Sequence, residues 1–527
     1  MTEFLTIESI AVALVLVTTL VAIGARRLRL PYTVSLVVIG LLIAIPTSLE
    51  LEATPDLILA IFIPPLVFEA AFHVDLDRLR QNLAPILFLA VPGVLLTTAL
   101  VGGMTALGTG VALGTAVVFG ALIAATDPVA VVSLFRALGV PRRLSLIVEG
   151  ESLFNDGTAI VIFRIALAAA LTGVFDPLGG ILDFLRVALG GIVVGLALGG
   201  ITALLVARIR DRLIVTSLTT ILAFGSYLAA EQLHVSGVLS VVMAGLMVGN
   251  VGMAGAAPST KLMILNLWEY LAFLANSMVF LLIGLSIDLV LLWNNLDVLA
   301  VAVVAVVGSR AIVVYGSTWL SRLWRKQSLV PPGWQHVLFW GGLRGAISLA
   351  LVLSLPAEMP DRRELQAMAF GVVLFTLLAQ GTTIQFLLER LSLTKRSPRW
   401  VSRERRLGQL FATRAGLHRL EQLHQEGLLP DEMWVGLKTG YEHDRRQIQQ
   451  QMNELFREYA DLEGDMLLQA RREALRAERG ALWDARQRNL LSGPVYDELA
   501  SEIDYRLEAL DLIYDTTHEQ PSETGEG

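Results

Sequence analysis

The chain has 527 residues, 54% of them hydrophobic and 17% charged, with a formal net charge of -7 at pH 7. Soluble domains carry about a quarter charged residues, so this composition excludes an ordinary soluble domain and points to a polytopic membrane protein. No basic face or recognition motif suggests nucleic acid, and the lack of cysteine excludes disulfides, thiolate catalysis and Cys-ligated metals.

Apolar stretches near the roughly 20 residues that span a bilayer as helix recur up to about residue 390. About thirteen are read, near 6–24, 32–48, 55–73, 83–106, 112–137, 144–173, 178–207, 212–231, 235–250, 262–288, 296–322, 334–355 and 364–390. The first is read as a retained span, because Met1-Thr2-Glu3 supplies no basic leader region. Basic connections, such as Arg78 with Arg80, Arg142 with Arg143, and Arg208 with Arg212, alternate with acidic ones at Asp176, Glu231, Asp297 and Glu358 with Asp361. The excess of basic residues on cytoplasmic loops then puts the N-terminus outside and the C-terminus inside, as an odd number of spans requires. Arg362 and Arg363 fall on the acidic side, beside acidic neighbours.

From about residue 395 the chain becomes charged and helix-favouring. Residues 1–394 are read as a transmembrane domain and 395–527 as a soluble, mostly helical cytoplasmic domain with a disordered end at 520–527. That domain is either a regulatory or dimer-supporting tail or a solubilising appendage.

Charged groups inside spans are costly and usually functional. The sixth span contains Gly150-Glu151-Ser152-Leu153-Phe154-Asn155-Asp156-Gly157. Ser152 and Asp156, four residues apart, share one helix face, and Glu151 and Asn155 share another. One face can offer oxygens to a hard cation, while the other can make structural contacts. In the fifth span, Ala125-Thr126-Asp127-Pro128 predicts an unwound helix, because proline lacks its N–H and disfavours helix at the preceding residue. The freed carbonyls and the Thr126 hydroxyl can then face a cavity.

The twelfth span holds Trp340-Gly341-Gly342-Leu343-Arg344-Gly345-Ala346-Ile347-Ser348, where glycines weaken the helix and admit another backbone. Two interrupted helices at corresponding places in the two halves point to an inverted repeat with a midplane site. If they cross, Asp127 suits the positive N-terminal ends and Arg344 the negative C-terminal ends. The expected fold is therefore all-α, with an inverted repeat and two interrupted crossing helices. In the eleventh span, Arg310 stays charged and needs an acid. Glu151 is the best candidate if Asp156 is to remain free to titrate. Glu69, after Pro64-Pro65 in the third span, is an ion ligand, a partner of Asn155, or a residue of the cytoplasmic end near His73 and Asp75.

At these residues the sequence resembles the sodium–proton exchanger branch of the monovalent cation/proton antiporters, with NhaP-like bacterial and archaeal members. Ala125 to Pro128, Gly150 to Asp156 and Gly342 to Ala346 match its motifs, supported by Phe68-Glu69-Ala70 and Gly381-Thr382-Thr383-Ile384. The likeness covers about residues 1–390. It implies a homodimer in which a core of spans four to six and eleven to thirteen moves against a dimerisation domain. It also implies that Asp156 binds either cation or proton, that Ser152, Thr126 and Glu69 support it, and that Glu151 and Arg310 form a structural ion pair. The cation and proton set is then Asp156, Ser152, Thr126 and Glu69, with Asp127 beside them. Transported Na+ would sit on Asp156, Ser152 and Thr126. Asn155 next to Asp156 implies electroneutral exchange, one cation per proton.

No cofactor is expected beyond the transported ions, and the expected partners are lipid and a second copy of the chain. By analogy with compact members of the family, the expected location is a bacterial plasma membrane. K+ in place of Na+ is the nearest alternative. A passive channel would need a filter built from several subunits. A hydrolase would need a nucleophile or zinc motif, and neither appears. Arg164 is one more intramembrane charge, with no role derivable from the sequence.

Overall fold

The computed structural model describes residues 2–28, 32–44, 55–174, 176–209, 211–253, 258–287, 289–325, 330–391, 393, 398–458, 460–488 and 490–519. Among the described residues every regular element is a helix. Two compact units divide the chain, Met1–Lys395 and Arg396–Gly527. The disorder expected for residues 520–527 concerns a segment outside the described residues.

Unit 1 contains α1 (Thr2–Leu28), α2 (Tyr32–Ala44), α3 (Pro55–His73), α4 (Leu76–Gln81), α5 (Leu83–Ala90), α6 (Pro92–Thr109), α7 (Leu113–Ala124), α8 (Val129–Leu138), α9 (Arg142–Thr172) and α10 (Pro177–Val206). It continues with α11 (Arg212–Gln232), α12 (Gly237–Met247), α13 (Pro258–Ser286), α14 (Leu289–Asn294), α15 (Leu296–Arg325), α16 (Pro332–Trp340), α17 (Ala346–Leu353), α18 (Arg362–Phe375) and α19 (Gly381–Arg390). Among the described residues, eight stretches are long and apolar enough to cross a membrane, from Leu83–Thr109 to Arg362–Arg390. Shorter apolar helices cover Val12–Ala25, Tyr32–Ala44, Ala60–His73 and Gly237–Gly252.

The helices fall into two groups. In the first, α1, α2 and α3 pack with α10 to α13. In the second, α5 to α9 pack with α15 to α19. The groups meet where α9 touches α10 and α12, and where α17 touches α3 and α13. Polar side chains start several helices by accepting the first free N–H groups. Asp176 caps α10, Asp211 caps α11 and Ser236 caps α12. Two π-helical turns, Val248–Gly252 after α12 and Thr376–Gln380 between α18 and α19, have no counterpart in the sequence reading. Such turns favour functional positions, and the second lies against the site described below.

Unit 2 is built of α20 (Pro398–Gln425), α21 (Asp431–Glu458), α22 (Ala460–Gln487) and α23 (Gly493–Glu519). α20 pairs with α21 and α22 with α23. The turn after α20 uses Gly427 at φ +73°, a conformation that side chains resist. His424 stacks on Trp434, with ring centroids 4.3 Å apart, between the first two helices. A small core of Leu475, Ile503 and Leu510 joins the second two, where Arg479 donates two hydrogen bonds to Asp504.

Candidate functional site

The two interrupted helices meet. Residues 125–128 separate α7 from α8 and residues 341–345 separate α16 from α17. The stretches run past each other closely enough for the Asp127 N–H to donate to the Leu343 carbonyl at 2.8 Å. Gly345 is required there, because a Cβ would overlap the Asp127 carboxylate. Gly342 likewise leaves room for the Arg310 guanidinium, whose Nε would lie 2.9 Å from an added Cβ.

Four half-helix ends converge, each facing a charge of opposite sign. Arg344, 1% exposed, donates through Nη1 to the Ala124 and Ala125 carbonyls at 2.6 and 3.0 Å, at the C-terminal end of α7. Arg310 donates through Nε and Nη2 to the Leu338 carbonyl at 3.2 and 2.9 Å, in the last turn of α16. The Asp127 carboxylate accepts the Val129 N–H at 3.0 Å at the start of α8 and also the Ala346 N–H at the start of α17. Carbonyl ends carry partial negative charge and N–H ends partial positive charge, so these contacts pair orphan groups at the ends of the broken helices. The Arg344 N–H is taken by Thr376 Oγ1, at 3.2 Å, on the second π-helical turn.

α9 runs alongside this crossing. Glu151, 2% exposed, receives both Arg310 Nη groups, the second at 3.0 Å. Ser152 donates to the Thr126 carbonyl at 2.5 Å. The Asn155 amide donates to the Ala124 carbonyl at 3.2 Å and to Thr126 Oγ1 at 3.0 Å. Ser152 and Asn155, read as lying on different faces, thus both stitch α9 to the break. Asn155 takes no hydrogen bond to Glu69. That glutamate pairs instead with His73, at 3.3 Å one turn along α3.

Asn155 Oδ1 and Arg344 Nε are unpartnered, but on side chains bonded through other atoms, whereas the Asp156 carboxylate has no such bond. Its Oδ1 is covered and has no hydrogen-bond partner. It lies on a cavity of about 910 Å³ that also touches Thr126, Asp127, Ser152 and Glu69. One wall comes from α2, α3 and α13 of the first group, the other from α8, α9 and α17 of the second. Toward the end of α8, Arg136 lines the cavity and pairs with Glu149 at 3.3 Å.

The sequence reading missed several participants. Glu149 stands two residues before Glu151, just outside the quoted motif, and Glu269 and Thr33 reach the cavity from the other group. Arg310's contact with Leu338 gave no sequence signal. Arg164 pairs with Glu231 at 3.0 Å, and among the described residues this is the ion pair that joins the two helix groups.

Comparison with known proteins bears on this geometry. The sodium/hydrogen exchanger transmembrane family matches residues 12–390. The chain belongs to that family. It is an integral membrane protein of an exchanger family, not of an enzyme family. It is 38% identical over 466 residues to the Na(+)/H(+) antiporter ApNhaP of Aphanothece halophytica, covering 87% of each chain. It is 33% identical to the Na(+)/H(+) antiporter NhaS2 of Synechocystis, covering 95% of this chain and 93% of that one. The sodium proton antiporter MjNhaP1 of Methanocaldococcus jannaschii shares the fold with a TM-score of 0.64 at 21% identity, over 74% of this chain and 99% of that one.

Proposed function

We propose that this exchanger is a secondary antiporter that trades Na+ for H+ across the membrane by alternating access, with Asp156 as the carboxylate both ions share. The observation that carries the reading is the unpaired Asp156 at the cavity, beside broken helices whose other charges all have partners. Relatives with similar sequences over most of their length are Na(+)/H(+) antiporters. Ser152 and Thr126 supply neutral oxygens next to Asp156, and Glu69 supplies a second carboxylate on the opposite wall. Glu151 with Arg310, and Asp127 with Arg344, hold the shape of the crossing. Asn155 contributes an amide where a second carboxylate would add charge. One Na+ or one H+ then neutralises the site, and exchange is electroneutral.

Movement of the second helix group against the first carries Asp156 from one side to the other. A neutralised site crosses readily. An empty, charged site crosses poorly, because desolvating an unpaired carboxylate is expensive. The chain crosses the membrane about thirteen times, with its N-terminus outside and residues 395–527 as a cytoplasmic helical domain. It works as a homodimer in a bacterial plasma membrane. With the basic connections inside, the cavity opens to the cytoplasm, since Arg136, in the last turn of α8 just before the Arg142–Arg143 connection, lines it.

The experiment is proton flux in sealed proteoliposomes carrying a pH gradient and a fluorescent dye. Added Na+ should dissipate the gradient, and the response should survive a clamped membrane potential. A response to K+ with none to Na+ would assign K+ as cargo. A response to neither cation from folded protein would refute the reading.

A further inference from the structure

Asp156 Oδ1 is not the only unpartnered oxygen at the cavity. Ser348 Oγ and Thr33 Oγ1 are also covered, without hydrogen-bond partners, on residues that line it. Ser348 is 0% exposed and Thr33 3% exposed. A buried hydroxyl with no partner destabilises a fold relative to alanine, so its presence at the wall of a cavity marks a surface that something else completes. Thr33 lies on α2, in the first helix group. Ser348 lies on α17, three residues beyond the Gly345 backbone that presses on Asp127. α17 packs on α7 and α9, which carry the broken segment and Asp156, and also on α3 and α13 of the first group. Ser348 therefore stands where the two groups meet, on a helix tied through Gly345 to the crossing beside Asp156.

We propose that Ser348 is a further ligand of the transported cation, its hydroxyl oxygen completing the shell begun by Asp156. The inference rests on the antiport reading above. A hydroxyl oxygen suits a hard cation. Being neutral, it adds a contact without adding a proton to the exchange. Because Ser348 is covered, only an ion that has shed its water on that side can reach it. Ser348 thus acts on cation affinity and on discrimination between alkali cations, and leaves proton binding alone.

The test replaces Ser348 in the full-length protein. Ser348→Ala removes the oxygen. Ser348→Cys keeps nearly the same volume but offers a soft sulfur, a poor partner for a hard cation. Both variants should raise the KM for Na+ by about fivefold, the size of one modest polar contact, with maximal rate and proton response retained. The unfolding temperature of Ser348→Ala without Na+ should match or exceed that of the unaltered protein. The rise in that temperature on adding Na+, which reports binding, should shrink. An unchanged KM overturns the proposal. So does a raised KM in Ser348→Ala alone, which would make volume the cause, or a lower unfolding temperature without Na+, which would make the role structural. If the unaltered protein shows no cation-dependent flux, the antiport reading fails instead, and the two failures are distinguished.

Discussion

Two stretches of α9 lie five residues apart and behave in opposite ways. At Glu151 the carboxylate is fully engaged by Arg310, which also holds the last turn of α16. At Asp156, about 7 Å farther along the helix, the carboxylate faces a cavity with one oxygen unpartnered. Both are intramembrane acids of the same formal charge. A charge with a fixed partner stabilises one arrangement of the chain, whereas a charge without one is available to a mobile ion.

The contrast fails first if Asp156 proves replaceable. Asp156→Asn should abolish cation-dependent proton flux to the level of empty vesicles, while the unfolding temperature stays near that of the unaltered protein. A variant that still exchanges would move the carrier elsewhere. Next in size is the partnered acid. Arg310→Ala or Glu151→Gln leaves a buried charge alone and should lower stability by about 3–5 kcal/mol, read by denaturation in detergent. An equally stable Arg310→Ala protein would show that the pair is dispensable.

A smaller effect is expected at Glu69, which faces the same cavity but already has His73 beside it. Glu69→Gln should raise the KM for Na+ up to about tenfold and leave the maximal rate within reach of the original. Complete loss of exchange would promote Glu69 to an equal of Asp156. The smallest effect concerns Arg164 and Glu231, 46% and 30% exposed. A double-mutant cycle should give a coupling of at most about 1 kcal/mol, as for other exposed pairs. A much larger coupling would make this contact a latch between the two helix groups.

Much of the fold and of the candidate site was legible because local chemistry forces it. Pro128, with no N–H to give, breaks its helix next to an acid, although Pro64 and Pro65 lie within α3, and Gly341, Gly342 and Gly345 weaken a helix. Intramembrane charges are rare enough that Glu151, Asp156, Arg310 and Arg344 stood out by position alone. What escaped depends on tertiary partners. Arg164 finds Glu231 across 67 residues, and Arg310 reaches Leu338 across 28. Helical spacing puts Ser152 and Asn155 in separate same-face pairs, yet both reach residues 124–126, because residues three apart are neighbours on a helix surface and one stretch of backbone can meet both. The turn at Thr376–Gln380 carries no breaker residue, so its π geometry is set by packing. In the sequence Ser348 is only the end of a glycine-rich stretch, and its missing partner is visible only in three dimensions.

The central claim is that one carboxylate serves two ions, and proton release on cation binding tests it most directly. Na+ is added to weakly buffered, detergent-solubilised protein over a range of pH, with Asp156→Asn measured alongside. The account predicts saturable proton release from the unaltered protein and none from the variant. Equal release from the variant, or Na+ binding to the unaltered protein with no release at any pH, would contradict it.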